Sequence, residues 1–115
     1  MINWKNLDSL SSLDDAMKMS DTRDVLFFKH STTCSISHMA KLRLEDNWDF
    51  DENELLPYYL DLKNFKSVSA EIANRLSVVH ESPQVLLIRK GECIYDASHF
   101  DISVDELKET LNWHG

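Results

Sequence analysis

Apolar positions recur at two periods along this chain, and the switch between them lays out the elements. Ser12-Leu13-Asp14-Asp15 has the pattern of a capping box ahead of a short helix that ends near Met19. After the polar turn Ser20-Asp21-Thr22-Arg23, the segment 24–29 carries Val25, Leu26, Phe27 and Phe28 without interruption. Such a run predicts a strand buried on both faces. Beyond the polar loop His30-Ser31-Thr32-Thr33, the residues Ile36, Ala40, Leu44 and Trp48 recur every fourth position with Met39 alongside. That spacing predicts a helix over about 34–46 with one buried face.

The acidic run 49–54 is a connection. Tyr58, Leu60 and Leu62 then alternate with Tyr59, Asp61 and Lys63, as in a strand. Ser67 is placed to cap a third helix with Val68, Ile72 and Leu76 on its inner face. Residues 84–89 predict another strand, turned by Lys90-Gly91 into a hairpin partner at 92–95. Ser103-Val104-Asp105-Glu106 forms a second capping box, opening a last helix with Val104, Leu107 and Leu111 inward. Strands joined through helices pair in parallel with right-handed crossovers, whereas the hairpin is antiparallel. The expected architecture is therefore α/β, a mixed four-stranded sheet flanked by helices.

Composition narrows the class. A chain of 115 residues fits one domain, 1–115, able to bury its own core. Twelve basic against twenty acidic residues leave a net charge of -8, which argues against nucleic acid and anionic membranes as partners. Met1-Ile2-Asn3-Trp4-Lys5 has no basic segment leading into an apolar run, so no signal peptide is expected. Two cysteines, Cys34 and Cys93, do not make a secreted disulfide framework. A cytoplasmic protein with reduced thiols is expected. No metal-ligand spacing and no phosphate-binding glycine pattern occurs, so neither a metal nor a cofactor is expected.

The chemistry concentrates in Phe27-Phe28-Lys29-His30-Ser31-Thr32-Thr33-Cys34-Ser35-Ile36-Ser37. One cysteine stands between a buried strand and the first turn of a helix. There the amides of Ser35, Ile36 and Ser37 are free to hydrogen-bond a thiolate. The helix dipole adds roughly 0.3–1 kcal/mol in favour of the anion. Lys29, His30 and His38 are the nearby cations or potential cations. A second anchor is Ser82-Pro83-Gln84, directly before a strand. A cis Ser82–Pro83 peptide there would leave Ser82 backbone groups free to pair with an extended, disulfide-bearing ligand. Alone, Cys34 fits an inert buried residue equally well, and it is the combination with Pro83 that favours a nucleophile.

In this order and in this run of elements, the two anchors resemble the thioredoxin superfamily. Lys29 through Ser37, followed by His80-Glu81-Ser82-Pro83-Gln84-Val85, resembles more narrowly the YtxJ-like bacillithiol-system proteins, the monothiol bacilliredoxins, over nearly the whole chain. The resemblance implies a thioredoxin-like fold and a nucleophilic Cys34 that attacks mixed disulfides between proteins and bacillithiol. It carries the fold's cis-proline to Pro83. The family usually has proline after its cysteine, where this chain has Ser35. Contacts to the small thiol are expected from Lys29, Thr33, Ser35, Ile36, Ser82 and Pro83. Bacillithiol would serve as thiol co-substrate, and the partners would be bacillithiolated proteins, a low-molecular-weight thiol, and another redoxin.

Ser37 occupies the position of the second cysteine of dithiol thioredoxins, so no intramolecular disulfide can complete the cycle. Cys93 lies past Gly91, about six residues of strand from Pro83, which at 3.4 Å each is roughly 20 Å. A disulfide needs Cα atoms within about 7 Å, so Cys93 is read as structural. Ser37 is read as an ordinary first-turn residue and His38 as solvent-facing, while Lys29 either ends its strand or meets a ligand carboxylate. Two other functions fit a lone thiol on this fold. One is a non-enzymatic thioredoxin-like binding module or thiol sensor. The other is an iron–sulfur carrier, disfavoured because the glycine-phenylalanine pair of that class is missing.

Overall fold

The computed structural model describes residues 2–113. A short strand β1 (Lys5–Asn6) is followed by α1 (Leu10–Met19), β2 (Asp24–His30), α2 (Ser35–Asn47) and β3 (Leu55–Asp61). The second half comprises α3 (Lys66–Leu76), the hairpin β4 (Gln84–Arg89) and β5 (Glu92–Ser98), a single 3₁₀ turn (His99–Asp101) and α4 (Val104–Leu111). The strands form one mixed sheet in the order β1-β3-β2-β4-β5. β2 is parallel to β3 and antiparallel to β4, and β1 adds a parallel fifth strand at the edge. The sequence predicts four strands. β1 is two residues long, too short for any hydrophobic period, and it is held by the register Lys5 to Tyr58 and by Leu7 N–H donating to the Tyr59 carbonyl at 2.9 Å.

The apolar run of β2 divides between two cores by strand alternation. Leu26 and Phe28 pack with Ala40 and Leu44 of α2 and Val104 and Leu107 of α4. Val25 and Phe27 pack on the opposite face with Leu13 and Ala16 of α1 and Val68 and Ile72 of α3. Both phenylalanines are fully buried, each contributing about 1.5–3 kcal/mol of transfer free energy. Helices on both faces thus bracket the central strand, and the C-terminal ends of β2 and β3 meet the N-terminal end of β4 at one end of the sheet.

Several helix starts differ from expectation. α1 begins a turn early: Ser9 is its N-cap and Ser12 is the reciprocal partner, with Ser12 N–H to Ser9 Oγ at 3.0 Å and Ser9 N–H to Ser12 Oγ at 3.1 Å. Starting there sets Leu13 and Ala16 inside the helix, where both reach the core. α3 is entered through Phe65, not Ser67, because the Phe65 ring packs against the α3-side core and its carbonyl takes the Ser69 N–H. Ser103 caps α4 by position, yet its side chain makes no capping bond. In α2 the buried stripe is Ser37, Ala40 and Leu44, and Met39 is exposed. β3 starts earlier than the alternation predicts and includes Pro57. β1 pairs only with Tyr58 and Tyr59, leaving Pro57 on a stretch of strand edge, where a proline costs no ladder hydrogen bond.

Candidate active site

β2 ends at His30, and four residues later Cys34 stands as the N-cap of α2 with extended backbone, φ -108° and ψ 123°. Its N–H donates to the Ser31 carbonyl at 3.2 Å, and its own carbonyl accepts the first helical bond, from His38 N–H at 3.0 Å. The amides of Ser35, Ile36 and Ser37 therefore precede the helical ladder and are open to an anionic sulfur. Cys34 is a free, half-buried thiol. Thr33 and Ser35 beside it are exposed, and Ile36 is half-buried.

The loop that carries Cys34 is fixed from below by Ser37, which the sequence alone presents as an ordinary first-turn residue. Ser37 is fully buried. Its Oγ accepts the Ser31 N–H at 2.9 Å and lies 2.7 Å from His30 Nδ1. His30 is itself buried between Phe28 and Tyr59, with ring centroids 5.6 Å from each. Burial first, then the charges of Lys41 and His38, hold the His30 pKa below its ordinary value. A neutral imidazole can accept the Ser37 hydroxyl proton, so that this hydroxyl accepts from Ser31 and donates to His30. Ser37 thus occupies the place of a second thiol and ties the Cys34 loop to the end of β2. The signal for it was available: Ser37, Ala40 and Leu44 share one helical stripe at i, i+3 and i+7.

Pro83 is buried directly before β4, and the Ser82–Pro83 peptide is cis. The Pro83 carbonyl accepts from His99 N–H at 3.0 Å, tying this segment to the 3₁₀ turn. Ser82 is half-buried, and its Oγ is a buried polar atom with no partner among the described residues. Gln84 pairs with Lys29 of β2, so the proline segment borders the end of the strand from which the Cys34 loop departs. His38 is exposed, as a solvent-facing residue should be.

Lys29 is turned inward. The chain alternation places it on the Phe27 side of the sheet, and its side chain is fully buried. Its Nζ lies 3.2 Å from His80 Nδ1, which also has Ser69 Oγ at 3.3 Å. Burial lowers the Lys29 pKa from 10.5 to about 8. The sequence leaves this lysine either ending its strand or meeting a ligand carboxylate; in the structure its ammonium contacts His80, the first residue of the segment that leads to Pro83.

Cys93 lies at the other end of the molecule's long strands. It pairs with Ile88, which pairs with Val25 at the start of β2, whereas Cys34 follows the end of β2. Cys93 packs against the α1/α3 core, its thiol donates to the Tyr95 carbonyl at 3.3 Å, and burial pushes its pKa up to about 11. A buried, protonated thiol is a poor nucleophile. The arrangement therefore offers one thiol placed for attack, and no second one within reach to form an intramolecular disulfide.

Comparisons with known proteins agree with this geometry. A protein described as an oxidoreductase with a thioredoxin fold is 28% identical, over 91% of this chain and 90% of that one, with a TM-score of 0.75. Thioredoxins from Malassezia sympodialis and Fasciola hepatica superpose with TM-scores of 0.74 and 0.71 over 96% of this chain, covering 90% and 99% of theirs. At 13% and 17% identity they share the fold alone. The fold is thus thioredoxin-like, and the function is that of a thiol redox protein. The family model of the monothiol bacilliredoxin BrxC matches residues 5–107, a span that holds both Cys34 and Pro83, and the chain belongs to that family.

Proposed function

We propose that this protein removes bacillithiol from protein mixed disulfides, with Cys34 as the catalytic residue. The Cys34 thiolate attacks the bacillithiol sulfur of the mixed disulfide. A new sulfur–sulfur bond forms, the old one breaks, and the target cysteine leaves as a thiolate that takes a proton from water. Cys34 then carries bacillithiol as its own mixed disulfide. A second thiol, another bacillithiol molecule or the thiol of a partner redoxin, attacks the bacillithiol sulfur and returns Cys34 reduced. The bacillithiol group thus passes from the target to that outside thiol, the target sulfur is reduced as the outside sulfur is oxidised to a disulfide, and the protein ends unchanged.

The observation that carries this reading is a single half-exposed thiol at the start of α2 with buried Ser37, not cysteine, one turn on. In this reading the helix-start amides of Ser35 and Ile36 stabilise the sulfur anion. Thr33, Ser82 and Pro83 meet the disulfide in the same reading, and Lys29 acts through its contact with His80. The cytoplasm, where reduced thiols are held in excess, is the compartment such a cycle needs. The test is transfer: a bacillithiolated target protein incubated with this chain should lose its adduct while Cys34 gains it. Target release without an adduct on Cys34 would overturn the mechanism.

A further inference from the structure

The Ser82–Pro83 segment is held from two sides. On one side Gln84 is in register with Lys29, so the segment borders the end of β2. On the other, Gln84 is in register with Ser98, and the Pro83 carbonyl accepts from His99 N–H at 3.0 Å. His99 opens the 3₁₀ turn with a φ of +55°, a left-handed conformation uncommon in residues other than glycine. Such a backbone persists where its surroundings over-determine it. Here those surroundings are the Pro83 carbonyl, the Glu81 carboxylate 3.5 Å from His99 Nε2, and Arg43.

Arg43 belongs to α2, the helix that Cys34 caps. Its Nη2 donates to the His99 carbonyl at 3.0 Å and its Nε to the Ile102 carbonyl at 3.3 Å. One planar guanidinium thus holds the turn at its first residue and at its C-cap, a fork that a lysine cannot reproduce. Hydrogen bonds from a charged donor are also roughly twice as strong as neutral ones. The connection runs from Cys34 along α2 to Arg43, then through His99 to Pro83, and both of its ends belong to the thiol site. Beside Pro83, the buried Ser82 Oγ has no partner among the described residues, so the segment keeps hydrogen-bonding capacity that the fold leaves unused.

We propose that Arg43 is a positioning residue: through the His99 turn it fixes the Ser82–Pro83 segment relative to Cys34, for disulfides borne on an extended polypeptide. The inference rests on the thiol-transfer reading above. A polypeptide substrate must pair with Ser82 and present its disulfide to Cys34 at once, so its reaction depends on how the two elements are spaced. A small disulfide without a peptide backbone has only the sulfur to meet. Arg43 therefore favours polypeptide-borne disulfides over free ones by acting through His99.

The experiment uses the full chain carrying Cys93→Ser and two probes. One is hydroxyethyl disulfide; the other is an extended peptide whose single cysteine carries the same hydroxyethyl thiol as a mixed disulfide. In each reaction the Cys34 thiolate attacks a hydroxyethyl sulfur, one sulfur–sulfur bond forms as the other breaks, and the remaining half leaves as a thiolate. Intact mass follows the same adduct in both cases, and the quantity read is the ratio of the peptide rate to the hydroxyethyl disulfide rate. Arg43→Met should lower this ratio roughly tenfold, within the roughly hundredfold that a misplacement of about 1 Å can cost. Arg43→Lys, which keeps the charge and can reach one carbonyl, should recover part of the loss. Arg75→Met removes the same charge from α3, where it pairs with Glu71 and Asp14, and should keep the parent ratio. Ratios for Arg43→Met and Arg43→Lys equal to the parent's would overturn the positioning role while leaving thiol transfer intact. Equal slowing of both probes in these variants would also overturn it, in favour of general support of the fold, as would an equal fall of the ratio in Arg75→Met. Absence of any Cys34 adduct from hydroxyethyl disulfide in the parent would instead overturn the thiol-transfer reading, and the positioning role with it.

Discussion

Lys29→Met isolates the cost of placing an ammonium inside the sheet. Methionine keeps the length of the side chain and removes the charge, while Ser69 Oγ remains 3.3 Å from His80 Nδ1 to satisfy that nitrogen. Burial lowers the Lys29 pKa from 10.5 to about 8, and each tenfold change in proton affinity is worth about 1.4 kcal/mol. The folded state therefore forfeits up to about 3 kcal/mol at neutral pH. The direction follows from proton counting. Between pH about 8 and 10.5 the unfolded chain holds the Lys29 proton more tightly than the folded one, so wild-type stability rises with pH across that window and the full deficit is present below it. Lys29→Met should accordingly be more stable than wild type at pH 7 by up to about 3 kcal/mol, with the advantage shrinking towards zero by pH 10.5. Cys93 and Tyr95, whose pKa values burial raises, oppose this trend in absolute stability but are common to both proteins and cancel in the difference. Paired urea titrations at pH 7, 8, 9 and 10 provide the measurement. A stability difference that is the same at every pH would refute the claim that Lys29 is held desolvated.

Two further outcomes follow from the thiols and their supports. At pH 8 one equivalent of an alkylating agent should label Cys34 alone, because a pKa of about 11 leaves on the order of one Cys93 in a thousand ionised, and peptide mapping would reveal any labelling of Cys93. Ser37→Ala removes the acceptor of the Ser31 N–H and the partner of His30. It should cost about 1–3 kcal/mol in a urea melt and slow adduct formation at Cys34, whereas Ser37→Thr, which keeps the hydroxyl, should recover part of both.

The strands that frame the site were legible because burial on two faces imposes a simple pattern. The run Val25 to Phe28 located β2, and β4 matched residues 84–89 as expected. Cys34 and Pro83 were legible as local signatures, one at a strand-to-helix junction and one at a strand start. Helix starts were less so, because this chain offers a serine near nearly every candidate cap, and only packing selects among Ser9, Ser12, Phe65 and Ser67. Ser37 was missed for the same reason that Met39 was misplaced: the four-residue spacing of Ile36, Ala40 and Leu44 rotates the stripe away from the face that the sheet covers. Lys29 could be assigned to the Phe27 face by alternation, but nothing in the sequence says that a lysine at a strand end turns into the protein. That outcome depends on His80, fifty-one residues away.

In the proposed cycle Cys34 alone carries the transferred thiol. The most direct test follows intact mass, over time, for a bacillithiolated target mixed with wild type, Cys34→Ser or Cys93→Ser, at pH 7 and without added reductant. Wild type and Cys93→Ser should each gain one bacillithiol as the target loses one, and Cys34→Ser should gain none while the target keeps its adduct. Loss of transfer in Cys93→Ser, or removal of the adduct by Cys34→Ser, would contradict the account.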